Sequence, residues 1–175
     1  QGVPPVVGSC RLGALVRRAE LNGADRGGDV AVARPHDAAA IGPDDFAAVF
    51  AKIDAFRDTS DFDMLQLVAL WEGHRRTITP ELRAAIEQRF TTFRYWYTDP
   101  LPAGVVDDKW FWSENHRIIF HTLEYLAGRA LPDATFTITS EPGSTHADRG
   151  RQRIEAWLDE KAAYGFSEWH SDVYY

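Results

Sequence analysis

Apolar residues recur at three- and four-residue spacing along most of the chain, the period of a helix with one face turned inward. Phe46, Val49, Phe50, Ile53 and Phe56 mark the clearest stripe. Pro43 and Asp44 stand in its opening turn, where a missing N–H and a negative charge are tolerated. Asp58-Thr59-Ser60 offers capping side chains to a second helix running to about Arg76, with Phe62, Leu65, Val68 and either Leu70 or Trp71 inward. Thr79-Pro80-Glu81 opens a third, whose inner face is Leu82, Ile86, Phe90, Phe93 and Tyr97 until Asp99-Pro100-Leu101-Pro102 ends it. A fourth is predicted after Ser113, carrying Ile118, Ile119, Leu123 and Leu126 and fraying near Gly128. Ser144-Thr145 caps a fifth, with Ile154, Trp157, Leu158 and Ala162, which stops at Gly165. Residues 132–142 alternate Phe136 and Ile138 with threonines, but a single strand has nothing to pair with. That segment reads as an extended loop, and no sheet beyond a minor two-stranded piece is expected.

Residues 1–41 lack this order: only Ser9 to Leu21 carries a helical stripe, through Leu12, Leu15, Val16 and Ala19. The expected organisation is an irregular N-terminal segment, 1–41, with one short helix, followed by an all-α domain of stacked helical hairpins over 42–175.

Composition narrows the function classes. A chain of 175 residues buries about 70% of its unfolded surface as one domain and needs no staples. Its net charge of −7 argues against nucleic-acid binding, which needs a basic face. No run of eighteen apolar residues is present to span a membrane. Cys10 is the only cysteine, which excludes an internal disulfide and a cysteine-based metal site. Gly8-Ser9-Cys10 and Gly143-Ser144-Thr145 contain nucleophile types but no Gly-x-Ser-x-Gly elbow. A start at Gln1 without a signal-like segment fits either processing or a fragment, and the apolar, aromatic ending Val173-Tyr174-Tyr175 favours the expectation of a fragment. Localisation is open; a secreted or periplasmic site follows only if the target is an external glycan.

Two clusters concentrate the chemistry. Trp110-Phe111-Trp112-Ser113-Glu114-Asn115-His116-Arg117 sets an acid, an amide and an imidazole among three large aromatics, and Gly165-Phe166-Ser167-Glu168-Trp169-His170-Ser171-Asp172-Val173-Tyr174-Tyr175 repeats the theme. Aromatic faces with polar groups between them suit a sugar ring, which stacks on the one and is oriented by the other. The catalytic candidates are Glu114, Asn115, His116, Glu168 and Tyr174, and the substrate-binding candidates are Trp110, Trp112, Arg117, Trp169, His170 and Tyr175. The two clusters are expected to meet in space. Blander roles compete: Glu114 paired locally with Arg117, His116 hydrogen-bonded in the interior, and Phe166 and Trp169 filling the core with Glu168 solvated. Trp71, Tyr95, Trp96 and Tyr97 read as packing between helices. His121 and Glu124 lack the paired Glu-x-x-His elements of a di-metal bundle, and neither metal nor cofactor is expected.

Asn115-His116 near a helix start, with Tyr174 following 58 residues later, resembles the Asn, His and Tyr set of alginate-lyase-like polysaccharide lyases. The resemblance implies an (α/α) toroid of helical hairpins. It also implies an amide that neutralises a uronate carboxylate, a His or Tyr that removes the C5 proton, and a Tyr that protonates the leaving oxygen. The strings Trp-Ser-Glu-Asn-His and Gly-Phe-Ser-Glu-Trp also look like those of large bacterial proteins of unassigned activity. The arginine of the lyase pattern has no clear counterpart, although Arg117 and Arg153 are available. The expected function is cleavage of a polysaccharide or oligosaccharide by β-elimination beside a uronate. The alternatives are a glycoside hydrolase using Glu114 and Glu168, or Asp107 or Asp108, and a non-catalytic helical module that binds a glycan or a protein.

Overall fold

The computed structural model describes residues 41–169. The predicted helix at 9–21 lies outside them, as do His170, Tyr174 and Tyr175. The described residues are predominantly helical, with a single two-stranded sheet. A 3-10 turn, Pro43–Phe46, leads into α1 (Ala47–Asp54); α2 (Ser60–His74), α3 (Pro80–Thr92) and α4 (Glu114–Ala130) follow. A hairpin of β1 (Thr135–Phe136) and β2 (Glu141–Pro142) then connects to α5 (Gly143–Tyr164). No described helix is long and apolar enough to cross a membrane.

The expected stripes build the core: Phe46, Met64, Leu67, Leu82, Ile86, Phe90, Phe120 and Leu123 are fully buried, and both Leu70 and Trp71 join them. Phe62 and Leu158, predicted inward, are instead exposed. The helices α4 and α5 run antiparallel and in close contact, because Gly128, Gly143 and Gly150 leave no side chain between them. A Cβ at Gly150 would stand 2.5 Å from the Tyr125 nitrogen.

The third helix ends earlier than its apolar spacing predicts. Two neighbours take the place of further helical turns: the Tyr95 hydroxyl donates to the Phe90 carbonyl at 2.7 Å and the Thr137 N–H to Thr91 O at 2.8 Å, while beyond the helix the Arg94 guanidinium holds the Asp99 and Tyr97 carbonyls. With its last carbonyls so satisfied, the chain turns extended at Phe93, and Tyr97 emerges into solvent. The hairpin at 135–142 corrects the extended-loop reading. The strand finds its partner seven residues on, through a turn with Ser140 at φ 58°, and Phe136 is buried against the His146 ring at 4.3 Å.

Candidate functional site

The N-terminal ends of α2 and α4 and the residues after α5 come together at one end of the fold. Ser113 stands at the N-cap position of α4, as its sequence suggests, but its hydroxyl makes no capping bond. Glu168 does this instead, its carboxylate accepting the N–H groups of Glu114 at 2.7 Å and Asn115 at 3.3 Å. Glu114 reciprocates: its carboxylate accepts the backbone N–H of Ser167 at 2.9 Å and of Glu168 at 2.8 Å, the Ser167 hydroxyl, and the Lys161 ammonium at 2.6 Å. Each acid therefore caps the backbone of the other, and the two clusters meet as their composition suggested.

This arrangement fixes the electrostatics. Burial by itself would raise the Glu114 carboxyl, but the Lys161 ammonium and the Ser167 and Glu168 N–H groups outweigh it and bring its pKa down to about 2. A group ionised that firmly is a poor proton donor at neutral pH. The competing local pair of Glu114 with Arg117 does not form among the described residues: Arg117 crosses to Glu160 on α5 with two bonds of 2.9 and 3.3 Å.

His116 takes a different partner. Its Nδ1 lies 2.7 Å from Asp61 Oδ2, at the start of α2. A carboxylate only accepts, so Nδ1 carries the proton and Nε2 is left with its lone pair. Nε2 makes no hydrogen bond among the described residues, and the Phe62 ring meets the imidazole edge-on at 5.1 Å. Burial opposes the charged form, yet the bond to Asp61 and the charges of Asp61, Asp58 and Glu168 raise the His116 pKa above its ordinary 6.5. Asp61 is fully buried, and its second oxygen, Oδ1, has no hydrogen-bond partner among the described residues.

Asn115 completes the group. Its side-chain oxygen accepts the His116 N–H at 2.8 Å and the Ser113 hydroxyl at 2.6 Å. The backbone N–H settles which amide atom is the oxygen. The NH2 group makes no hydrogen bond among the described residues and stays available as a double donor.

The aromatic candidates divide by depth. Trp110 and Trp112 are more than half exposed while Phe111 is buried, and Trp112 stands with Tyr97 at 4.4 Å between ring centroids. Trp169 stacks on Phe166 at 4.9 Å, and both lean on Trp157, so this second cluster is partly an internal one. Glu168 is half-buried rather than solvated. Trp71 and Tyr95 pack inside as expected, whereas Tyr97 does not. His121 lies on the Trp96 ring at 4.5 Å, and burial together with Arg153 lowers its pKa to about 4. Among the described residues no three potential metal ligands converge.

Asp61, Lys161 and Glu160 escape a sequence reading because each acts on a residue more than 40 positions away. The one available signal is a helix-opening Asp-x-Asp at 61–63, which reads equally well as dipole-favoured charge. No family model, curated protein or solved structure matches the chain.

Proposed function

We propose that this protein is a carbohydrate-active enzyme that cleaves an acidic polysaccharide by β-elimination, with His116 as the base, and that its hairpins belong to an (α/α) toroid. The observation that carries the reading is the Asp61–His116 pair with Asn115 beside it. Asp61 holds the imidazole in the tautomer whose Nε2 accepts a proton, and a pKa above 6.5 gives that nitrogen the basicity the step needs. In the reaction, Nε2 takes the proton from C5 of a uronate, C4 and C5 become doubly bonded, and the C4–O bond breaks with its electron pair on oxygen. Negative charge builds on the uronate carboxylate as the proton leaves, and the Asn115 NH2 is the donor placed to stabilise it. Arg117 and Lys161 already serve Glu160 and Glu114, so the amide and not a cation takes that role. Tyr174, the expected donor to the leaving oxygen, lies outside the described residues. Trp110 and Trp112 offer stacking faces for neighbouring sugars.

A hydrolase using Glu114 and Glu168 is less well served. Its acid must hold a proton at working pH, and Glu114 is held ionised by four donors.

The test is incubation with polyuronates while following ultraviolet absorbance and reducing ends together. Elimination gives an absorbing unsaturated uronate, and His116→Ala lowers the rate roughly 10²- to 10⁴-fold. Reducing ends without absorbance would indicate hydrolysis, and glycan binding without turnover would leave a binding module.

A further inference from the structure

The segment 105–112 alternates strictly: Asp107, Lys109 and Phe111 are more buried than their neighbours, whereas Val106, Asp108, Trp110 and Trp112 point outward. This is the side-chain rhythm of a strand, yet the segment belongs to neither strand of the sheet. Its backbone is held by isolated bonds, from Asp108 N to Phe56 O at 3.2 Å and from Trp110 N to the Asp58 carboxylate at 3.3 Å. With no ladder to set the register, the inward side chains must do so, since a slip of one residue exchanges the two faces.

Lys109 is the most unusual of them. Its side chain is 1% exposed, and its ammonium sits 3.0 Å from Asp107 Oδ2. Three rings surround it, Phe56 at 4.3 Å, Phe93 at 5.0 Å and Phe111 at 5.7 Å to their centroids. Phe56 occupies the left-handed region, with φ 56°, a position a bulky residue adopts only when its surroundings hold it there. The same residue that contributes the nearest ring also accepts the Asp108 N–H, so the strained turn after α1 grips the segment twice. Asp107 is fastened from the other side by Arg94 at 2.7 Å. Phe111 stacks on Phe120 of α4 at 4.4 Å.

We propose that Lys109 is a positioning residue: its ammonium, boxed by Phe56, Phe93 and Phe111 and bonded to Asp107, locks the register that turns Trp110 and Trp112 outward as a fixed pair. The consequence for glycan binding rests on the function proposed above, but the positioning itself does not. An ordinary surface tryptophan rotates freely, while two anchored on either side of an inward phenylalanine present a pre-organised face and lose less entropy on stacking a ligand.

The experiment is NMR of the indole N–H groups in the full chain, with Trp110→Phe and Trp112→Phe identifying their signals. In Lys109→Ala the Trp110 and Trp112 signals shift and broaden, while those of the buried Trp71 and Trp157 stay in place. Unmoved Trp110 and Trp112 signals in a folded Lys109→Ala protein would overturn the proposal. Should that variant fail to fold, Lys109→Met, which keeps the stem in the aromatic box without the charge, is judged by the same two signals. If the protein cleaves polyuronates, Lys109→Ala also raises KM about tenfold with kcat little changed. If it cleaves none and the indole signals still move, the function proposed above falls and the positioning role stands.

Discussion

The helix α4 contributes to two histidine–carboxylate pairs, set about 12 Å apart along its axis, and their surroundings assign them opposite work. The deeper pair is Glu124 with His146 of α5, at 3.0 Å. The Glu124 carboxylate is fully buried and also receives Arg149 at 2.8 Å and Arg153 at 2.6 Å. The other nitrogen of His146 is taken by the Thr139 hydroxyl at 2.7 Å. Burial alone would push the Glu124 carboxyl up, but its histidine and two arginines keep it ionised. The outer pair, His116 with Asp61, leaves one imidazole nitrogen and one carboxylate oxygen unbonded among the described residues. An imidazole and a carboxylate are thus a tie between helices where every polar atom is matched, and a candidate base where one is not.

Removing a partner from the inner pair should have the largest effect on stability. Glu124→Gln leaves Arg149, Arg153 and His146 facing one another without their shared counter-charge, and a broken buried ion cluster costs about 3–5 kcal/mol. A denaturant titration measures it. His116→Ala should cost less stability, about 1–3 kcal/mol for the buried Asp61 carboxylate it leaves without a partner, while lowering turnover roughly 10²- to 10⁴-fold. Equal losses of stability from the two variants would break the distinction.

The outer pair has a pH signature. Asp61 is the first of the groups that raise the His116 pKa, so the acid limb of kcat/KM for elimination should lie above pH 6.5, since the base must be neutral. Asp61→Asn should move that limb to lower pH and reduce the rate. The stability arising from the pair runs the other way: it is fully present below pH 6.5 and is lost as pH rises through the raised pKa. An acid limb unmoved in Asp61→Asn would show that Asp61 does not act through His116.

The same contrast explains what the sequence made legible. Stripes such as Leu82, Ile86 and Phe90 announce their helix because one face of a short segment carries the whole signal, and all three are fully buried. The helix end at Thr92 is invisible in that signal, because it is set by Tyr95 and Thr137 donating to the Phe90 and Thr91 carbonyls. Apolar residues at 93 and 97 continue the pattern without the helix. The candidate residues around Glu114 and His116 stand out by composition. What they do depends on Asp61, Lys161 and Glu168, and charges distant in sequence carry no mark of which partner they will meet. The roles of Lys109 and Glu124 are hidden for the same reason: the rings around Lys109 come from residues 56, 93 and 111, and the partners of Glu124 are His146, Arg149 and Arg153 of α5.

The smallest effect expected is at Ser113, and its smallness is informative. A serine at the N-cap of a helix ordinarily contributes about 1 kcal/mol by accepting an N–H of the first turn. Here its hydroxyl points to the Asn115 oxygen at 2.6 Å, and the acceptor for the first turn is Glu168. Ser113→Ala should therefore cost about 0.5 kcal/mol or less, because Asn115 keeps its bond from the His116 N–H. Glu168→Ala should cost about 1–2 kcal/mol, since it strips the acceptor from two backbone donors at the positive end of the helix dipole. The partner acid adds a pH test. The Glu114 carboxyl is held down to about 2, so its contribution is present above about pH 4.5 and fades as pH falls towards 2. Glu114→Gln should flatten the acid side of the stability curve over that range, whereas Ser113→Ala leaves it unchanged. A cost at Ser113 equal to that at Glu168 would return the cap to the serine and detach the residues after α5 from the start of α4.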